Sequence, residues 1–248
     1  MVCVPALYTD DGVRIDTAHT AALSGQRHVA VVLVHGFSLS KQHRRLRRII
    51  TTLCHYVGVV ALDLRGHGRS GGRTTVGWQE VRDVDAAVRW ARSLGYLRVV
   101  TLGFSLGAAV VLRHAAERGG TDAVVAVSGP GLWFFRGTSK MRSFHRYVET
   151  APGRGLLRVV RGTRVNSTPW PEPAPMDPRE AAAAVEVPLL IIHGGRDDYF
   201  PVEHAQGLVR ASQHRAELWV EDDVGHAEAA MRPELIARIG HWITQVRV

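Results

Sequence analysis

The chain has 248 residues, of which 46% are apolar and 22% charged, a composition that excludes wholesale disorder and suits one sizeable buried core. Thirty-one basic and 23 acidic side chains leave a formal charge of +8, and lysine occurs only at Lys41 and Lys140, so the excess is arginine. Such an excess raises three anionic partners (nucleic acid, a membrane surface, an acidic substrate) against the plainer reading of an arginine-rich composition.

Residues 29–34, VAVVLV, are a continuous β-branched run that reads as a strand buried on both faces. Residues 40–57 follow a helical pattern, with Leu46, Ile49, Ile50, Leu53, Cys54 and Val57 on one side. Arg44, Arg45, Arg47 and Arg48 fall mostly on the other. A strand is expected over 58–63 and a helix over 78–94 with Val81, Val84, Ala87, Val88 and Ala91 inward. A strand over 98–102 then leads into a helix over 106–118, which Gly119 and Gly120 end. Further strands are expected at 123–127, 187–192 and 217–220, and helices at 202–211 and 228–246. Residues up to Asp16 read as antiparallel edge strands. The alternation predicts an α/β fold with a mostly parallel sheet and helices on both faces.

That alternation breaks over 129–185. The stretch holds Trp133, Phe134 and Phe135, and five of the chain's 11 prolines fall between Thr168 and Pro178. Proline there favours extended backbone over regular pairing. The expected organisation is a core of 1–128 and 186–248, with 129–185 inserted as a cap or lid. Cys3 and Cys54 are too few for a disulfide framework, and no His/Cys cluster has zinc spacing. No apolar run reaches the ~18 residues that span a bilayer, and the first residues lack a basic n-region. A soluble, cytoplasmic protein is the expectation.

Residues 103–107, GFSLG, stand between an expected strand and an expected helix. A serine exposed on a strand–turn–helix corner needs glycine on both sides, because side chains there would collide with the neighbouring strand and helix. A helix-capping serine explains Ser105 but neither glycine. The hydroxyl needs a base, and the base an orienter. Among 13 histidines, His226 follows Gly225 in a loop after the last expected strand, where open α/β sheets place their sites. The acid is Asp197 or its neighbour Asp198, both just past a strand; either could instead be a turn or cap residue. An oxyanion needs backbone donors: the Leu106 N–H after the nucleophile, and the Phe37 N–H beside Gly36. His35 reads as a structural loop residue. The glycine-rich run 63–70, DLRGHGRS, lacks a phosphate-loop pattern and reads as a loop bounding the site.

With these motifs (His35-Gly36-Phe37, residues 63–70, residues 103–107, His193–Asp197 with Pro201, and Gly225-His226) the chain resembles the α/β-hydrolase-fold serine hydrolases, a group of esterases, lipases and related acyl hydrolases. The resemblance implies an eight-stranded, mostly parallel sheet with a cap after the sixth strand. It implies Ser105 as nucleophile, His226 as base and Asp197 rather than Asp198 as acid. Serine at the elbow, where related families carry Asp or Cys, favours acyl chemistry without metal or organic cofactor. The reading is a carboxylic ester hydrolase, with Trp133, Phe134, Phe135 and Trp170 as candidate pocket residues. An acyl thioesterase or C–C bond hydrolase would use the same triad, and a non-catalytic ligand-binding protein would keep only the fold. No nucleic-acid partner is expected, since charge alone is no recognition motif. Residues 41–48 hold five cations and no acid, and 129–185 hold nine cations and four acids, so the excess is local. Its expected place is the site entrance, where it would attract an anionic substrate or surface; a merely solvated face is the plainer account.

Overall fold

The computed structural model describes residues 2–3 and 7–246. Among these residues there are ten strands: β1 (Val2–Cys3), β2 (Leu7–Tyr8), β3 (Arg14–Ile15), β4 (Thr17–Thr20), β5 (Val29–Val34), β6 (Gly58–Leu62), β7 (Arg98–Phe104), β8 (Ala123–Val127), β9 (Leu189–Gly194) and β10 (Glu217–Glu221). The helices are α1 (Arg44–Leu53), α2 (Val81–Ser93), α3 (Leu106–Glu117), α4 (Ser139–Glu149), α5 (Ala151–Arg161), α6 (Pro178–Ala184), α7 (Glu203–Ala211) and α8 (Pro233–Gln245), with a 3₁₀ turn at Ala227–Ala229.

Eight strands form one sheet in the order β1-β4-β6-β5-β7-β8-β9-β10. The first two pairings, β1 with β4 and β4 with β6, are antiparallel and the rest parallel. β2 and β3 pair separately as a small antiparallel ribbon, so the expected N-terminal edge is split between two sheets. From β5 the chain moves outward to β6, then crosses back to β7 on the other side, and a site is favoured beyond the strand ends at such a reversal.

The β-branched run of β5 is buried at every residue because both faces of the sheet are covered. Ala30, Val32 and Val34 point into a core shared with α2, α3, α6 and α7. Val29, Val31 and Leu33 point into a second core shared with α1 and α8. The two-residue period thus sends alternate side chains into separate cores.

Several elements differ at their ends from expectation. α1 begins at Arg44 rather than residue 40, because the His43 side chain caps it by accepting the Arg45 N–H at 3.3 Å. α2 starts late because buried Glu80 instead ties a turn together, accepting the N–H groups of Thr75 at 2.8 Å and Gly77 at 2.9 Å. β9 begins at Leu189 rather than 187, since Pro188 has no N–H for the ladder. The last helix begins at Pro233, and only the short 3₁₀ turn occupies 227–229. Lys41 does not join the exposed arginines of α1: it is buried and ion-paired with Asp16 and Asp63, the latter at 3.1 Å. A lysine stem long enough to reach buried Asp63 and half-buried Asp16 is satisfied inward, which removes that charge from the surface field.

Between β8 and β9 the chain forms α4, α5 and α6. α6 seats Ala181 and Ala182 in the core with α3 and α7. α4 and α5 pack on each other, and Gly153 has no Cβ because one would lie 2.6 Å from Tyr147 Cα. The chain after α5 is stitched to the loop after β6: Arg164 N–H donates to the Gly66 carbonyl at 2.8 Å, and Thr74 N–H to the Arg164 carbonyl at 2.8 Å. At the start of the segment, Gly131 N–H donates to His204 Nδ1 on α7 at 2.8 Å.

Burial, with Arg179 nearby, pushes the His204 imidazole down to about 4, and burial with the neighbouring His35 pushes His67 down to about 3. Both are neutral when folded, whereas an unfolded imidazole titrates at 6.5. The unfolded chain therefore binds more protons as pH falls below 6.5, and stability present above that value is lost towards pH 4. Melting temperature should fall over that window, and fall less steeply in His204→Gln, whose amide oxygen can still accept the Gly131 N–H. Equal slopes for both proteins would show that His204 is not a source.

Candidate active site

β7 runs directly into α3 through Ser105, which holds φ 51° and ψ −114°, a left-handed conformation that L-residues rarely adopt. The turn is this sharp because α3 returns hard against the sheet. A Cβ on Gly103 would collide with the carbonyl of Gly107, and one on Gly107 would lie 2.5 Å from the Val34 carbonyl oxygen of β5. Both glycines of the motif are therefore fixed by close approach. Ser105 N–H donates to the Val127 carbonyl at 2.9 Å, tying the corner to β8.

His226 lies in the loop after β10 and Asp197 in the loop after β9. The structure brings them to Ser105: His226 Nε2 is 2.9 Å from Ser105 Oγ, and His226 Nδ1 is 2.7 Å from Asp197 Oδ2. The other Asp197 oxygen accepts the N–H groups of Tyr199 at 2.8 Å and Phe200 at 3.0 Å. Burial alone would raise the Asp197 pKa, but the imidazole and those N–H groups outweigh it and hold the carboxyl below its usual range. Its side chain is 1% exposed, while that of Asp198 is 61% exposed and faces Lys140 at 3.7 Å. The adjacent aspartates thus divide cleanly: Asp197 meets His226 and Asp198 does not.

Phe37 and Leu106 line the same cavity as Ser105, and neither N–H has an acceptor among the described residues. Leu106 is the first residue of α3, so its N–H is one a helix leaves free. A cavity of about 1170 Å³ lies over Ser105 and His226. Trp133, Phe134 and Trp170 line it. Trp133 and Trp170 meet edge to face with ring centres 5.2 Å apart, and Trp170 is held by its indole N–H donating to the Thr75 carbonyl at 2.6 Å. Phe135 does not line this cavity; its ring packs on His204 at 4.3 Å and on Phe200 at 6.2 Å. Trp133, Phe134 and Phe135 are consecutive, but Phe135 turns towards α7.

Three other residues at the site carry no motif. Phe144 of α4 meets Phe37 edge to face at 4.9 Å. Tyr199 stacks on the His226 ring at 4.3 Å with 25° between planes. Glu228 is 6% exposed, lines the cavity, and accepts the Gly36 N–H at 2.6 Å. Their only sequence signal is nearness to Asp197 and His226, for Tyr199 and Glu228; Phe144 lies on the inward side of a helix the sequence reading did not place. Among the described residues no His/Cys/Asp/Glu group could hold a metal ion. Among the same residues no helix is long and apolar enough to cross a membrane.

A parallel sheet that carries a serine on a strained strand–helix corner, met by a histidine and a carboxylate from the loops after its last two strands, defines an α/β-hydrolase architecture. The chain belongs to the Alpha/beta hydrolase family, whose sequence model matches residues 31–239. It is 28% identical over 233 residues to an uncharacterized protein of Mycobacterium tuberculosis, covering 92% of this chain and 72% of that one. It is 27% identical over 213 residues to the monoacylglycerol lipase of Mycolicibacterium smegmatis, covering 72% of this chain and 74% of that one. Among solved structures it resembles the Pyrococcus furiosus esterase Pf2001, with 26% identity, a TM-score of 0.76, and coverage of 98% of this chain and 92% of that one.

The glycine packing yields a direct test. Gly107→Ala should cost ~1–3 kcal/mol of stability through overpacking. Gly155→Ala, in α5 with nothing within 4 Å of the added carbon, should be neutral or stabilising by up to ~1 kcal/mol. Urea denaturation measures both, and equal effects would remove the close-approach account.

Proposed function

We propose that the protein is a serine hydrolase of carboxylic esters, acting through an acyl-enzyme on Ser105. The observation that carries this reading is the unbroken chain from Ser105 Oγ to His226 Nε2 and from His226 Nδ1 to Asp197, at 2.9 Å and 2.7 Å. His226 takes the serine proton as Oγ attacks the ester carbonyl. Asp197, kept ionised by its three partners, holds the imidazole tautomer that presents a lone pair to the serine and stabilises the imidazolium that forms. The oxyanion is met by the N–H groups of Phe37 and Leu106, assisted by the N-terminus of α3. His226 then delivers its proton to the leaving alcohol, which departs. Water, deprotonated by the same imidazole, attacks the acyl-enzyme and releases the acid.

In this reading residues 129–185 are a cap, with α4 and α5 over the site and α6 seated on the core. Trp133, Phe134, Trp170 and Phe144 give the cavity an apolar wall suited to an acyl chain. Similarity to an esterase and to a monoacylglycerol lipase agrees with ester chemistry. Glu228 acts as a positioning residue, holding Gly36 so that the next N–H, that of Phe37, stays turned towards Ser105.

A fluorophosphonate probe should label the wild-type protein and not Ser105→Ala; an unlabelled wild type would overturn the proposal. On a panel of esters and thioesters, Asp197→Asn should lose on the order of 10³–10⁴-fold in kcat and Asp198→Asn little. The reverse order would reassign the acid. Glu228→Ala should lower kcat on the order of tenfold with KM nearly unchanged, and Glu228→Gln, which keeps an acceptor, should restore most of it. A loss in KM alone would exclude the positioning role.

A further inference from the structure

An amphipathic helix normally turns its aliphatic residues inward and its charges to water. α5 instead leaves most of its aliphatic residues outside. Leu156, Val159 and Val160 occupy positions i, i+3 and i+4, one stripe of the helix, and are 50%, 84% and 64% exposed. Ala151, Pro152 and Gly155 of the same helix are exposed as well. Facing the cavity instead are Arg154, Leu157 and Arg161. Gly153 is the one residue of α5 that is fully covered. The helix therefore offers an apolar strip that none of the described residues covers.

The surroundings of that strip are cationic. Between Ser139 and Gly162 there are six cations and one carboxylate, Glu149, which already pairs with Arg136 at 2.6 Å and His145 at 2.7 Å. Lys140, Arg142, Arg146, Arg158 and Arg161 are exposed. The exposed arginines of α1 extend the field: His43 and Arg45 from the start of α1 line the same cavity as Arg161 from the end of α5. No carboxylate of the described residues lies within 4 Å of the side-chain nitrogens of Arg44, Arg45, Arg158 or Arg161.

We infer that the outer face of α5, with the arginines of α4, α5 and α1 around it, docks on an anionic phospholipid surface. A helix lying in a headgroup layer needs an aliphatic strip to sink into the acyl boundary and flanking cations to meet phosphates. Both are present, and the reversal of α5 places them on the outside. A second copy of the chain is the poorer occupant, because a two-fold contact would set one cationic field against another. Nucleic acid would use the charge and leave the aliphatic strip in water. The helix whose outer face docks is also a wall of the cavity, so a substrate leaving the lipid layer would have a short path to Ser105. The docking itself does not rest on the ester reading.

The test is co-sedimentation of the full chain with phosphatidylcholine vesicles, with and without phosphatidylglycerol. Ser105→Ala serves as a catalytically silent control that separates binding from turnover. Binding should need the anionic lipid, weaken with salt, and be equal for wild type and Ser105→Ala. Val159→Glu/Val160→Glu should lose at least tenfold in vesicle affinity, and Arg158→Ala about fivefold. Hydrolysis of a soluble short-chain ester should be unchanged in Val159→Glu/Val160→Glu and in Arg158→Ala, and their circular-dichroism melting curves should match the wild type, which shows that they fold. Leu156→Ser, elsewhere on the strip, gives an independent reading should the double variant misfold. Failure to bind, equal binding to neutral vesicles, or binding indifferent to the valine and leucine changes would overturn the proposal. So would a dimer in gel filtration that Val159→Glu/Val160→Glu dissociates, since the strip would then belong to a second copy.

Discussion

The approach of α3 to β5 governs the site. Gly107 brings the helix backbone to the Val34 and His35 carbonyls, a distance no side chain would permit. That approach forces the corner at Ser105 into its left-handed conformation and lifts its hydroxyl clear of the sheet. Such a residue costs ~1–3 kcal/mol in an unsupported loop. Here it is held by parallel pairing of β7 with β5 on one side and β8 on the other, and by the Ser105 N–H bond to Val127. The strain thus rests on the most deeply buried strands, and Ser105 cannot relax without disturbing the centre of the sheet.

The loops that surround Ser105 have no regular partners for their N–H groups, and buried carboxylates supply them. Asp63 accepts the N–H groups of Lys41 and Arg69, Glu80 those of Thr75 and Gly77, Glu228 that of Gly36, and Asp197 those of Tyr199 and Phe200. Each anion organises a different loop at the carboxyl end of the sheet. Asp63 is itself ion-paired with buried Lys41, and Asp197 is hydrogen-bonded to the His226 imidazole. One kind of interaction therefore does two jobs, setting loop shape everywhere and orienting the imidazole in one place.

The parts legible in the sequence are those where geometry leaves one residue type. Gly103, Ser105 and Gly107 could be read because close approach admits only glycine, and 29–34 because a strand covered on both faces must be apolar throughout. His226 and Asp197 were marked by their place after strands, although Asp197 and Asp198 look alike until burial separates them. Glu228 and Tyr199 gave no such mark, since a carboxylate that accepts one N–H across 192 residues leaves no local pattern. Lys41 was read with the arginines beside it because a charge run does not say which member turns inward. In 129–185 the prolines and aromatics drew attention from the periodicity of α4 and α5, and Phe135 could not be told from Trp133 and Phe134 by position alone.

The reversed face of α5 has a cause in how that helix is held. At its start, Gly153 lets it press on the backbone of α4 near Tyr147. Beyond its end, Thr163 donates to the Ser38 hydroxyl at 3.2 Å, and Arg164 is bonded to Gly66 and Thr74. A helix fixed at both ends by backbone contacts has its rotation set by those ends, not by where its aliphatic residues would prefer to lie. Leu156, Val159 and Val160 are left outside, and Arg154 and Arg161 are turned to the cavity. The net charge of +8 is then divided unevenly in space. Lys41 is consumed inside, while the arginines of α1 and the α4–α5 pair gather around the cavity that holds Ser105. Buried Glu228 lines that cavity together with Arg45, Arg154 and Arg161, so under the proposed ester chemistry a substrate with an anionic end and a neutral acyl end would enter acyl end first.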